Sequence, residues 1–595
     1  MLKITSKLAS ALAISLLFAA CTPSTTTDAA APAEAQDATS SESQAEPVEA
    51  ETGSADSADT DTAFVAHSLL APDAAIEVSV LGHYQSGVFD EGAAEIVAYD
   101  SESQRGFVIN AAAGQVDVFD LSDPSQPTLV TSVDASELGG GANSISFSNG
   151  IAAIALAAEE PAEPGVVAFI DTEGELLTQV TVGALPDALT WSPDGRYVVV
   201  VNEGEPSDDY TVDPEGSVSI IDVSGGIESL SQDNVRTADF QAFNGREEEL
   251  REQGIRIYGP NASAAQDFEP EWAEVTADST TAYVSLQENN AIAIVDIESA
   301  TVTNVFPLGY KNWLTGNAGL DASDEDSAIT IQNWPVLGAY QPDTIRLYEQ
   351  GEATFIITAN EGDSRDYDTF SEEYRIGDEE VTLAADAFPD AEVLKDEANL
   401  GRLRLSTAQG YRPTPECVEL VTTSGDPSQC EFEALYVFGG RSMSIFQVSE
   451  SGLEQVFDTG SQMEQTVAEL LPDNFNTSND ENDSFDGRSD DKGPEPEGIA
   501  VGEIDGRTYA FVGLERVGGV MVYDITEPAS TTFVQYINNR DFNLEDTPEA
   551  LTTTDLGAEG LYFIPASDSP NGQPLLMVGN EVSGTTTVFA INSLN

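Results

Sequence analysis

The run Pro186-Asp187-Ala188-Leu189-Thr190-Trp191-Ser192-Pro193-Asp194-Gly195-Arg196-Tyr197-Val198-Val199-Val200-Val201-Asn202-Glu203 is closed by Gly216-Ser217-Val218-Ser219-Ile220-Ile221-Asp222. An acidic residue opens a first strand. Ser-Pro-Asp-Gly then supplies hairpin chemistry, because proline presets φ and glycine accepts a positive φ. A second strand ends at Asn-Glu, and a third has the form G-x-V-x-I-x-D. From about Ile76 onward this pattern recurs. Seven openings align: Glu95-Ile96-Val97, Asn143-Ser144-Ile145, Asp187-Ala188-Leu189, Glu271-Trp272-Ala273, Asp343-Thr344-Ile345, Glu497-Gly498-Ile499 and Glu559-Gly560-Leu561. Third strands follow at 116–121, 166–170, 218–223, 291–297, 442–448, 520–525 and 585–591. The fifth unit is split: its second strand ends at Asn360-Glu361, and its third comes after a long excursion.

A tandem of short strands at this period predicts an all-β chain folded as a radial β-propeller, because stacked blades bury both faces of each sheet. The count is seven blades, or eight if the excursion hides a further one. The last unit stops just after its third strand. The free strand 76–81 is placed to close that blade and remove an exposed edge. Short helices are predicted at 246–253, ended by Gly254, and at 464–471, ahead of Pro472.

Composition narrows the function. The chain has 595 residues, with 105 acidic against 22 basic ones and a formal net charge of −83. That excludes a sequence-independent grip on nucleic acid and disfavours docking to anionic lipid through a basic patch. It favours solubility and attraction of cations. The two histidines, His67 and His83, both precede the repeats. A Ser-His-Asp triad, a histidine zinc site and a haem ligand pair are thereby disfavoured.

Residues 1–20 read as a lipoprotein signal peptide. Lys3 and Lys7 form the charged start, and an apolar run ends in Leu17-Phe18-Ala19-Ala20-Cys21. Small residues before a cysteine resemble a bacterial lipobox, with Cys21 the lipidated residue. Thr22 after it points, by resemblance to Gram-negative lipoproteins, to the outer membrane within the cell envelope. Residues 21–70 are expected to be the lipidated cysteine and a disordered acidic tether, since Thr22 to Thr62 contains no aromatic residue. Residues 71–595 are assigned to the propeller, with insertions near 224–265 and 365–432. Once Cys21 is lipidated, Cys417 and Cys430 are the one pair left to bridge in an oxidising compartment; the alternative is two free thiols.

The repeat stacks two acidic positions on one rim. The first ring is Glu95, Asp187, Glu271, Asp343, Glu497 and Glu559, with Asn143 in the second blade. The second is Glu159, Glu203, Glu288, Glu361, Glu515 and Glu581, with Asn110 in the first blade. So many inner carboxylates repel one another unless cations or arginines offset them. Hard oxygen ligands suit a divalent cation, Ca²⁺ above others. The alternative is that these acids satisfy backbone groups of neighbouring loops. Arg365, Arg441, Arg516 and Lys492 fall in rim loops, as does Arg488. There they would either hold an anionic ligand beside the cations or form salt bridges within the ring. Two loops, 321–326 and 482–487, look like calcium loops but fail the EF-hand pattern: the first lacks the sixth-position glycine, and the second has Gly493 where the bidentate Glu belongs.

Several runs are distinctive: Gly87 to Asp100, Tyr340-Gln341-Pro342-Asp343, Asn360 to Tyr367, Asp490 to Ile499, and Phe511 to Gly519. They resemble the choice-of-anchor I proteins, which are related to mesenchyme-specific cell-surface glycoproteins of echinoderm skeletons. The resemblance implies a surface or secreted propeller attached by interchangeable means. Some members are described as alkaline phosphatase-like, and phytase propellers, a more distant similarity, hydrolyse phosphoesters on a calcium-loaded rim. Two functions are therefore expected: a lipid-anchored surface binding protein holding divalent cations on its acidic rim, or a calcium-dependent phosphoesterase. The expected partners are the membrane, through the lipid alone, and an anionic small molecule or a surface partner. The chain is expected to be a monomer that binds no nucleic acid.

Overall fold

Within Pro186–Trp191, Tyr197–Asn202 and Ser217–Asp222 the expected strands form, joined by antiparallel pairing, and Val235–Asp239 adds a fourth. The first turn is held by its own side chains. Ser192 Oγ donates to Asp194 Oδ1 at 2.8 Å and accepts from the Tyr197 N–H at 2.9 Å. Gly195 takes φ 69°, the region where a side chain would be strained. The alternation along the second strand sends Val198 and Val200 to one interface, with Phe169 of the blade before it. Val199 and Val201 go to a different cluster, with Ile220. Each such valine contributes about 1.5–3 kcal/mol by burial, and an aspartate at either face would open a blade interface.

The computed structural model describes residues 66–594 except Glu91 and Glu352. The leader, Cys21 and most of the acidic tether lie outside the described residues. Seven antiparallel sheets of four or five strands repeat this unit. Their innermost strands are Val97–Asp100, Gly141–Ser148, Pro186–Trp191, Pro270–Val275, Ile345–Gln350, Pro496–Ile504 and Ala558–Ile564. Each touches the next in that order, and the last touches the first, which closes a propeller ring.

The N-terminal strand does close the last blade. Ile76–Gln85 pairs with Thr585–Ser593 from Ile76 opposite Ser593 to Gln85 opposite Thr585. Its bulge at Val80/Gly82 brings Gly82 so near the Pro124 carbonyl that an added Cβ would lie 2.2 Å from that oxygen. One boundary needs correction. His67–Leu70, assigned above to the tether, is a fifth strand on the sixth blade, paired with 535–538. Four residues carry too little pattern to announce a strand; the free edge of Thr532–Asn538 recruits them.

The excursion inside the fifth blade builds no four-stranded sheet among the described residues. With residues 308–344 it forms a satellite around Trp313, Leu320, Val336, Leu405, Phe432 and Leu435. Cys417 and Cys430 are bridged within it. Cys417 lies on the helix Pro415–Ser424, capped by Thr414 Oγ1 accepting from the Cys417 N–H at 3.2 Å. Proline at the first turn suits a helix start. Likewise, the expected insertion at 224–265 contains the third blade's own outer strand, Val235–Asp239, besides the helix Glu247–Gln253, which ends at Gly254 in the left-handed region. The second expected helix spans Gln462–Leu470.

Candidate cation site

A register break on the innermost strand aims four of the opening acids. The pairing shifts between Pro186 and Leu189, Pro270 and Ala273, Pro496 and Ile499, and Ala558 and Leu561. Asp187, Glu271, Glu497 and Glu559 sit within those bulges, which turn a side chain out of the regular alternation. The second ring follows from Asn-Glu. Asn202 Nδ2 donates to Ser219 Oγ at 3.0 Å, and Asn360 Nδ2 to Ser444 Oγ at 2.8 Å. The asparagine thus ties the second strand to the third, and Glu203 or Glu361 comes next.

Glu95, Asp187, Glu271, Asp343, Glu497, Glu559, Glu203, Glu288, Glu361, Glu515 and Glu581 are all buried, the most open being Glu361 at 9 % exposure. Glu159 is a correction: it lies exposed beyond the end of Ile151–Ala157, and Ala157 and Ala158 occupy the place of Asn-Glu. The first two blades contribute buried amides instead. Asn143 Nδ2 donates to the Pro186 carbonyl at 2.9 Å, and Asn110 Nδ2 to Asp117 Oδ2 at 3.0 Å.

Burial is the leading cause of high pKa values around the ring. It pushes Asp187 up to about 7 and Glu581 up to about 8, with Asp343 adding to the first and Glu515 to the second. Glu515 reaches about 7 by burial, even with Arg516 acting against the rise. Glu95, Glu271, Glu497 and Glu559 are raised well above the usual carboxylate range by burial and then by neighbouring carboxylates. Neither carboxylate oxygen of Asp187 has a hydrogen-bond partner among the described residues, and Glu497 Oε2 has none either. Buried charge in that condition is costly unless protons or cations neutralise it. Two groups bring carboxylate oxygens within 4.8 Å of one another: Asp343, Glu361 and Glu497, and Glu361, Glu495 and Glu515.

The basic residues divide. Lys492 Nζ lies 3.1 Å from Glu361 and 3.0 Å from Glu495. Arg516 lies 3.1 Å from Glu495 and 3.0 Å from Glu515, and Arg488 lies 2.6 Å from Glu495. Glu495, not singled out from the sequence, is therefore the hub. Burial works to raise its carboxyl, and Arg488, Arg516 and Lys492 overcome this to hold it well below the usual range. Its φ of 49°, unusual for a residue with a side chain, is visible only once folded. Arg365 instead pairs with Asp267 at 3.2 Å and Glu269 at 2.9 Å. Arg441 pairs with Glu464 at 2.7 Å and donates to the carbonyls of Asp321, Ser489 and Asp491. Both are engaged in tying the satellite and its neighbouring loops to the ring.

Inside the ring of sheets, a cavity of about 330 Å³ is lined by residues of every innermost strand, Glu559 among them. Arg346 stands in it 3.1 Å from Glu274 and over the Trp272 ring at 4.5 Å.

Radial sheets around a channel crowned with buried carboxylates define an acidic β-propeller. Residues 95–528 match the choice-of-anchor I domain, and the chain belongs to that family. It is 27 % identical over 402 residues to the mesenchyme-specific cell surface glycoprotein of Strongylocentrotus purpuratus, a match covering 60 % of this chain and 49 % of that protein. The chain thus spans about half the length of that relative. It is 30 % identical over 210 residues to gigasin-3a of Magallana gigas, covering 34 % of this chain and 68 % of that one. Among solved structures, Kuenenia stuttgartiensis hydrazine synthase aligns with a TM-score of 0.42 at 12 % identity, over 85 % of this chain and 98 % of its own.

Proposed function

We propose that this protein is a cell-surface propeller, tethered to the envelope through a lipid on Cys21, whose inner carboxylates bind divalent cations, Ca²⁺ above others. The name of the sea urchin relative and the anchor-domain family support the surface location. The cation reading is carried by one observation: buried carboxylates line the rim in every blade but the second, whereas among the described residues the basic partners Arg488, Lys492 and Arg516 gather on one side, around Glu495. Coulomb repulsion on the other side is then left for protons or cations to relieve. Bound ions would also present a positive face to an anionic partner, beside the partly exposed Lys492 and Arg516.

The competing reading, hydrolysis of phosphomonoesters, needs Arg365, Arg441, Arg516 and Lys492 in one pocket with the carboxylates. Lys492 and Arg516 are there; Arg365 and Arg441 are engaged elsewhere, which favours binding over catalysis. The test is thermal unfolding with CaCl₂ against NaCl of matched ionic strength. A ligand that binds only the folded state raises Tm, whereas salt merely screens. A Tm insensitive to Ca²⁺ defeats the proposal, and chelator-sensitive turnover of a phosphomonoester defeats the preference for binding. For the anchor, Cys21→Ser should move the protein from the membrane to the soluble fraction; retention there defeats the lipid assignment.

A further inference from the structure

The two carboxylate groups share Glu361 but differ in what already neutralises them. Around Glu361, Glu495 and Glu515 the chain supplies Arg488, Lys492 and Arg516, all within 3.1 Å of a carboxylate oxygen. With Asp491, 2.8 Å from Arg488, four carboxylates meet three cations there. The other group, Asp343, Glu361 and Glu497, shares Lys492 with that set through Glu361. Glu497, 6 % exposed, keeps Oε2 without a hydrogen-bond partner among the described residues while its carboxylate converges on the other two.

We propose that a single Ca²⁺ binds between Asp343, Glu361 and Glu497, and that Lys492 is a tethered competitor for Glu361 which weakens that site. This rests on the cation reading above and adds the seat of the ion and its internal control. The Glu361–Glu495–Glu515 group takes no ion, because the chain's own guanidinium and ammonium groups fill it. Oxygen ligands at this spacing suit Ca²⁺, which accepts irregular carboxylate geometry. An ammonium 3.1 Å from Glu361 Oε1 must lose part of that contact, and gain repulsion, when a 2+ charge arrives beside the same carboxylate. Lys492 Nζ also donates to a second anchor, the Gly362 carbonyl at 2.7 Å, which holds it at the site with or without the ion.

The experiment is calorimetric titration of the full chain, first stripped with chelator, using CaCl₂ alone as the probe. Wild type should bind one Ca²⁺ at this position. Glu497→Gln should weaken that binding at least tenfold, and Asp343→Asn should do likewise. Lys492→Met should strengthen it several-fold, a gain that misfolding does not produce. If wild type binds no Ca²⁺, the cation reading falls and this inference with it. If wild type binds but Glu497→Gln and Asp343→Asn bind as tightly, the ion sits elsewhere and only this inference falls. Unchanged or weaker binding by Lys492→Met overturns the competitor role.

Discussion

His83 Nε2 lies 2.7 Å from Asp555 Oδ1, both side chains 4 % exposed, so the strand that closes the ring is bonded to the entry of the last blade as well as paired along its edge. Thr585, Thr587 and Asn539 also donate to Asp555. Removing residues 22–62 should leave thermal unfolding unchanged. Removing residues 22–81 takes away His67–Leu70 and most of the closing strand, and should lower Tm strongly. His83→Ala should cost about 3 kcal/mol in denaturant unfolding, since it strips a buried carboxylate of one partner. Wild-type stability in the longer deletion would refute closure from the N-terminus.

The ring makes the metal-free protein less stable as pH rises. Asp187 and Glu515 sit at about 7 and Glu581 at about 8 in the folded state, all above their ordinary values. The folded chain therefore holds protons that the unfolded chain has released. This contribution is fully present below about pH 4 and is lost as pH climbs through 7 to 8. Glu495 has the opposite sign, because its depressed pKa favours folding above about pH 4 and the benefit is lost on acidification. Denaturant unfolding in chelator at pH 5, 6.5 and 8 should show a fall on the order of several kcal/mol. Saturating Ca²⁺ should flatten the slope. A rise across that window would contradict the protonated ring.

Glu497 and Glu559 open the sixth and seventh blades, and burial, the Glu581 charge and then the Glu497 charge raise the Glu559 carboxyl. Replacing both by Gln keeps size and removes two negative charges. The double variant should lose much of the Ca²⁺-dependent rise in Tm and should be more stable than wild type in chelator. An unchanged Ca²⁺ response would move the cation away from this sector.

The satellite should be separable from the ring in stability. The Cys417–Cys430 bridge closes a short loop, with a sequence separation of 13. Removing it as the Cys417→Ala, Cys430→Ala pair should cost roughly 3 kcal/mol, concentrated in residues 415–432. Limited proteolysis should then cut there first while the main unfolding transition stays near its original temperature. Equal protease resistance with and without the bridge would show that it contributes little.

Much of this fold is written locally. Strand alternation and the Ser-Pro-Asp-Gly turn depend on neighbours a few residues apart, so Tyr197–Asn202 and Ser217–Asp222 are legible without coordinates. Their recurrence makes the acids fall at equivalent places, from Glu95 to Glu581. What alternation does not encode is pairing between loops. Lys492 meets Glu361 across 131 positions, and Arg256 reaches Glu372 across 116. Five basic rim residues look equivalent in the sequence, yet tertiary packing sends Arg488, Lys492 and Arg516 to Glu495 and buries Arg365 and Arg441 in other networks. The physical reason is desolvation. A guanidinium shut away from water must take whichever carboxylates and carbonyls the packed loops bring to it. Repetition along the chain therefore determined the ring of sheets and its acids; which acids remained for a cation was decided only when distant loops folded over the rim.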